Sequence, residues 1–391
     1  MPSRRAVRSG LDQLVSNPKI LARQRVGLVV NPSAVTAELV AALPALLATR
    51  RVKVAALFGP EHGISADAQD LVEVGHGRDR ITGIPVFSLY GNTRVPTEKM
   101  LEGIDTFVFD VQDVGCRYYT FAYTMLHCLE AGSRFGRRVV VLDRPNPLGG
   151  AKVEGNVLDP AFVSFVGMHP LAVRHGLTVG ELALMFREER SLDVDLTVVR
   201  MRGWRRPMAF EDSGLPWVMP SPNMPTVDTA VIYPGGCLVE GTNLSEGRGT
   251  TRPFELVGAP WIDGAALARD LGAEEIPGVR FRAVAFTPTF QKHVGSTCGG
   301  VQVHVTDRAR FPAFLTYLLI LHHARRRNPA RFAWRNPPYE YEHVRLPFDI
   351  LCGTDAVRLA LEAGRSPRCF EGEWAREVKA FRRRRAKFLL Y

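Results

Sequence analysis

"VKVAALFGPEHG" (residues 52–63) is a nearly unbroken apolar run that stops at glycine and proline and then sets an acid beside a histidine. A run this short, rich in valine and closed by phenylalanine, reads as a strand covered on both faces, the kind found in parallel sheets. The glycine and proline fix the path of the loop, so the carboxylate of Glu61 is held in place. Similar runs recur at 26–30, 86–89, 106–111 and 139–142. Helix-like patterns lie between several of them, at 37–49, 97–103 and 120–132, the last ending on a glycine. This alternation predicts an α/β fold, a mostly parallel sheet with helices on both faces.

Such sheets bind ligands outside the carboxyl ends of their strands. The residues in those places are Asn31; Gly59, Glu61 and His62; Tyr90, Gly91 and Asn92; Gln112, Asp113 and Arg117; and Asp143, Arg144 and Asn146. Almost all are polar, so Glu61 and His62 belong to a rim suited to chemistry. The alternation continues with a helix expected at 178–189 and a strand at 196–201. Two long polar loops interrupt it, "PSPNMPTVDT" (220–229) and "EGTNLSEGRGTTRPFE" (240–255), and loops of that length are commonly functional. After "GAPWIDG" (258–264) the texture changes to two strands, at 279–285 and 300–305, a helix at 311–325 and a last helix from 372. A domain boundary is expected near 262, giving units 1–261 and 262–391, the second a smaller α+β unit.

Composition excludes several classes. With 391 residues, 46% of them hydrophobic and 23% charged, the chain has the make-up of a folded globular protein. No apolar run is long enough to span a membrane, and the basic start lacks an apolar segment behind it, so a cytoplasmic protein is expected. Six cysteines, at 116, 128, 237, 298, 352 and 369, form no CxxC pair and fit a reduced compartment. The formal charge of +10 comes from scattered arginine; only "ARRRN" (324–328) and "FRRRRAK" (381–387) are dense. Neither accompanies a nucleic-acid reading motif, so no nucleic-acid partner is expected. The oligomeric state is not legible.

Three stretches carry candidate chemistry. "GPEHG" offers Glu61 as a held carboxylate and His62 as its neighbour or a substrate contact. "FDVQDVGCRYYT" (109–120) offers Gln112, Asp113, Arg117 and Tyr118, with Asp110 inside the strand as a structural or catalytic carboxylate. "EGTNLSEGRGT" (240–250) carries Glu240, Asn243, Ser245, Glu246 and Arg248 among glycines, but it has neither the P-loop lysine nor a GxGxxG spacing. No HExxH, HxH or GxSxG pattern is present, so neither a metal nor a cofactor is expected. Carboxylates, amides, arginines and tyrosines together suit a sugar.

"FGPEHG" (58–63), "DVQDVGCRYYT" (110–120), "LDRPNPLGG" (142–150), "PSPNMPT" (220–226) and "EGTNLSEGRGTTRPFE" (240–255), in this order, resemble the bacterial YbbC-type family, exo-β-N-acetylmuramidases once known as a domain of unknown function. The resemblance covers roughly residues 10 to 391. It implies release of terminal β-1,4-linked N-acetylmuramic acid from the non-reducing end of peptidoglycan fragments. It also implies a Rossmann-like catalytic domain with a C-terminal auxiliary domain, and the family's favoured catalytic glutamate falls on Glu61. Exported members carry a signal that this sequence does not show, which favours recycling of fragments inside the cell.

Glycoside cleavage needs a proton for the leaving oxygen and stabilisation of an oxocarbenium-like centre. Glu61 is the expected acid. Asp113, Glu246, Asp110 or the substrate's own acetamido oxygen is expected in the second role. The lactyl carboxylate of muramic acid calls for a guanidinium, from Arg117 or Arg248. The other expected sugar contacts are His62, Asn92, Gln112, Tyr118, Asp143, Arg144, Asn146, Asn223 and Asn243. The rival readings are a non-catalytic muropeptide-binding protein using the same cleft and a nucleotide-using α/β enzyme.

Overall fold

The computed structural model describes residues 7–65, 75, 77–91 and 93–391. Six strands appear first along the chain: β1 (Arg25–Val30), β2 (Lys53–Gly59), β3 (Gly77–Arg78), β4 (Pro85–Ser88), β5 (Thr106–Asp110) and β6 (Arg138–Leu142). A two-stranded antiparallel ribbon follows, β7 (Glu154–Val157) and β8 (Ala172–Arg174), and then β9 (Leu196–Val199). The main sheet runs β3-β4-β2-β1-β5-β6-β9, and every pairing in it is parallel except β3 with β4.

Alternation along each strand shows why this is a two-faced sheet. Val29, Phe107, Phe109, Val139 and Val141 join one core cluster with residues of α3 (Phe121–Phe135) and α4 (Val179–Glu189). Leu28, Val30, Val108, Val140 and Leu142 point the other way. They pack with Leu11 and Leu14 of α1 (Gly10–Ser16) and Leu46 of α2 (Ala42–Ala48). Both faces are covered by helices, and each fully buried valine, leucine or phenylalanine contributes about 1.5–3 kcal/mol. α4 begins on a capping box in which Thr178 accepts from the Glu181 N–H while Glu181 accepts from that of Thr178.

Two expected helices are shorter than the sequence suggests. The one at 37–49 is confined to α2, because Pro44 can occupy only the first turn and Leu39 takes a left-handed conformation (φ 63°). The one at 97–103 is a single 3₁₀ turn, Lys99–Leu101, followed by a left-handed Gly103.

The rest of the chain forms a smaller unit. β10 (Leu256–Ala259), β11 (Val279–Phe286) and β12 (Cys298–Val305) make an antiparallel sheet in the order β10-β12-β11. α6 (Gly264–Ala273) packs on β11 and β12, α7 (Ala313–Arg327) on α6, and α5 (Val227–Gly236) on α7. They are followed by α8 (Pro347–Cys352), α9 (Ala356–Glu362) and α10 (Glu371–Arg385). α5 and α7 touch at Gly235, where a Cβ would lie 2.1 Å from the Ala313 carbonyl oxygen. The division expected at 261/262 falls within this sheet, since β10 precedes it and its partner β12 follows. The C-terminal end returns to the first unit: Arg385 donates to the His175 and Gly176 carbonyls, and the Tyr391 hydroxyl to Asp143. Among the described residues no helix is long and apolar enough to cross a membrane.

Candidate active site

Past the carboxyl end of β2 the chain turns sharply. Gly63 donates to the Pro60 carbonyl at 2.9 Å, and His62 and Gly63 both have left-handed backbone (φ 68° and 76°). A Cβ on Gly59 would come within 2.8 Å of the Ile64 nitrogen, so this turn needs glycine there. The turn aims Glu61 and His62, both more than nine-tenths buried, into a polar cleft. The loop from β5 into α3 supplies Tyr118, Tyr119 and Thr120, the 221–224 segment supplies Ser221 and Asn223, and the smaller unit supplies Glu240, Arg248, Phe254, Tyr339 and Glu340.

Hydrogen bonds fix this wall. The Thr120 hydroxyl donates to Glu61 Oε2 in a short bond. Tyr119 Oη donates to Ser221 Oγ at 3.0 Å. Glu240 is clamped on both oxygens: Arg248 Nη2 lies 2.8 Å from Oε1 and the Tyr339 hydroxyl 2.7 Å from Oε2. Burial pushes the Glu240 carboxyl up, but the Arg248 guanidinium, the Tyr339 bond and Lys292 outweigh it and hold it below the usual carboxylate range. Tyr90, past the end of β4, donates to Glu340 Oε2 at 3.2 Å. Burial above all keeps its hydroxyl protonated, and the bond to Glu340 acts in the same direction. Burial does the same for Tyr119, helped by Asp113 and Glu61.

Of the residues expected from the sequence, Glu61, His62, Tyr118, Asn223 and Arg248 line the cleft. Asp113 and Glu246 lie behind it. Asp113 accepts from the Gly115 N–H at 2.6 Å and faces His175 at 3.8 Å, and burial raises its carboxyl to about 7. Glu246 is gripped by Lys292 at 2.8 Å and flanked by Arg248 at 3.6 Å. Asp110 is fully buried under a two-pronged bond from Arg144, at 2.6 and 2.8 Å. Gln112 and Arg144 line a separate hollow with Trp217.

Four of the expected contacts are engaged within the fold. Arg117, 1% exposed, donates from its guanidinium to the carbonyls of Asn156, Leu171, Leu351 and Cys352. The Asp143 carboxylate accepts from Thr178, Gly180 and Tyr391. Asn146 bridges Leu148 and Leu177, and Asn243 bridges Arg331 and Ala333. Tyr118, though on the cleft, directs its hydroxyl to the Pro234 carbonyl. Asn92 lies outside the described residues.

Thr120, Ser221, Tyr339 and Glu340 were not singled out from the sequence. Only Thr120 had a usable signal, its place at the start of the helix after the β5 loop. Among the described residues no group of three or more His, Cys, Asp or Glu is placed to hold a metal ion.

Two family models cover nearly the whole chain: the exo-beta-N-acetylmuramidase NamZ N-terminal model over residues 26–228 and its C-terminal counterpart over 231–391. The chain belongs to the NamZ exo-β-N-acetylmuramidase family. Peptidoglycan beta-N-acetylmuramidase NamZ of Bacillus subtilis (strain 168) is 45% identical over 386 residues, 98% of this chain and 91% of that protein. Two solved structures of DUF1343 family proteins from Bacteroides fragilis NCTC 9343 share the fold. One has a TM-score of 0.91 at 35% identity over 100% of both chains. The other has a TM-score of 0.78 at 30% identity over 98% of this chain and 99% of its own. The two NamZ models meet between 228 and 231, inside the first turn of α5, so Glu240, Arg248, Tyr339 and Glu340 fall to the C-terminal one and Glu61 and Thr120 to the N-terminal one.

Proposed function

We propose that this protein is an exo-acting glycosidase that removes terminal, non-reducing β-1,4-linked N-acetylmuramic acid from peptidoglycan fragments, in cell-wall turnover or recycling. The observation that carries the reading is Glu61: a carboxylate on a sharp turn at a strand's carboxyl end, facing a polar cleft, in a chain 45% identical to a peptidoglycan β-N-acetylmuramidase over nearly its full length. Glu61 is the general acid. Its proton goes to the glycosidic oxygen as the bond from C1 breaks, and the Thr120 hydroxyl orients the carboxyl for that transfer.

Arg248 supplies positive charge, and His62 a ring N–H, for the lactyl carboxylate, and Asn223 an amide for the acetamido group. Tyr119 and Phe254 offer aromatic surface to the apolar face of the pyranose. Asp113 and Glu246 act from behind the wall as positioning groups. A division into two units ahead of α5 keeps β10 with its sheet and puts the cleft between them. We place the activity in the cytoplasm, a reading supported by six cysteines that are all free thiols.

Incubation with para-nitrophenyl N-acetylmuramide and, in parallel, the matching glucosaminide tests the reading. Nitrophenol release from the muramide in clear preference is expected. A protein that binds N-acetylmuramic acid but turns over neither substrate would be a muropeptide-binding module instead.

A further inference from the structure

The muramidase reading leaves one role open, the group that meets the positive charge at C1. Among the described residues three carboxylates line the cleft: Glu61, Glu240 and Glu340. Glu61 is the acid. Glu240 has both oxygens committed, one to Arg248 and one to Tyr339, and so belongs to the wall.

Glu340 differs in how it is held. It comes from "NPPYEYE" (336–342), in the smaller unit, and reaches the cleft on a tight turn closed by reciprocal bonds between Tyr339 and Glu342, each 2.9 Å. Glu340 and Tyr341 at the turn's tip both have left-handed backbone (φ 47° and 64°). Side chains rarely tolerate that conformation, and where it persists the surroundings must enforce it. Here they do. Tyr339 is tied to Glu240, and the Tyr341 ring packs edge-on against Tyr90, 5.7 Å between centroids, beneath the Arg94 guanidinium at 4.2 Å. Glu342 is gripped by Arg345. The result fixes Glu340, 6% exposed, on the same cleft as Glu61, with the Tyr90 hydroxyl donating to it.

Resting on the muramidase reading, we infer that Glu340 is the second catalytic carboxylate, ionised and facing the anomeric carbon, with Tyr90 as its positioning residue. As the C1–O bond breaks, its electron pair leaves with the oxygen and the Glu61 proton follows. The positive charge at C1 is met by the Glu340 carboxylate. Water then supplies the new oxygen to C1, and the proton it gives up ends on the carboxylate pair, which holds one proton before and after the cycle.

Replacing Glu340 tests this. Glu340→Ala is expected to lower kcat on para-nitrophenyl N-acetylmuramide by about 100-fold or more while still binding N-acetylmuramic acid, and added azide, a small external anion, is expected to restore turnover with formation of a muramyl azide. Should truncation unfold the turn, Glu340→Gln keeps the volume and an acceptor for Tyr90 and is expected to show the same split between lost kcat and retained binding. Turnover within tenfold of the wild type in either folded variant overturns the assignment. So does a folded, product-binding Glu340→Ala protein that azide does not rescue. A wild-type protein that releases no muramic acid defeats the muramidase reading itself, which is a separate result.

Discussion

At Arg248 a guanidinium stands in the cleft beside Glu240, whereas at Arg117 one is consumed by four backbone carbonyls. Each is an arginine in a motif that the sequence singles out, and only the fold separates a side chain that lines the cleft from a strut. Arg248→Met is expected to cut the preference for muramide over glucosaminide about tenfold to a hundredfold, the worth of roughly 1.5–3 kcal/mol of charge-assisted bonding. Equal loss on both substrates would restrict Arg248 to holding Glu240. Arg117→Met is expected to leave that ratio alone and to lower the melting temperature, because buried carbonyls are left without donors at about 1–3 kcal/mol each. Asp113 adds a pH signature. Its carboxyl is raised by burial to about 7, so the folded state holds a proton that the unfolded chain releases near pH 4, and stability falls as pH rises from about 4 to 7. Asp113→Asn removes this contribution. A melting-temperature profile across that window is expected to be flatter in the variant, and an unchanged slope would refute it.

Among the elements, strands were the most legible. The run at 106–111 became β5 and that at 139–142 became β6 within one residue at each end, because continuous apolar sequence is what a doubly covered strand requires. Glu61 was legible for the same reason: its strand ends at once in Gly-Pro. Glu340 was not, because the turn that carries it follows no strand or helix whose end could announce it, and its place depends on Tyr90 and Glu240 far away in sequence. Nor did periodicity show that α5 would press its backbone against α7. Gly235→Ala would set a methyl 2.1 Å from the Ala313 oxygen and 2.5 Å from Tyr317 Cδ2, so the helices must part. A loss of roughly 1–3 kcal/mol is expected from such overpacking, together with weaker binding, since Tyr233 and Phe254 of the cleft wall sit in the same packing. Denaturant unfolding alongside product titration checks both parts, and wild-type stability would contradict the close approach.

In the molecule as a whole, the parallel sheet provides Glu61 and the smaller unit provides Glu240, Arg248, Tyr339 and Glu340, so neither unit holds the complete cleft. The chemistry is assigned to side chains alone, and activity is expected to survive EDTA; loss restored by one divalent ion would contradict this. The most direct test of the account compares leaving groups in Glu61→Gln. The amide keeps the shape but has no acid proton to give. Natural muramyl-glucosamine, whose leaving oxygen needs that proton, is expected to lose about 100- to 10,000-fold in turnover, while an activated nitrophenyl leaving group loses much less and binding of N-acetylmuramic acid is preserved. A folded variant that still cleaves the natural disaccharide at near wild-type rate would show that the proton comes from elsewhere and that Glu61 is not the acid.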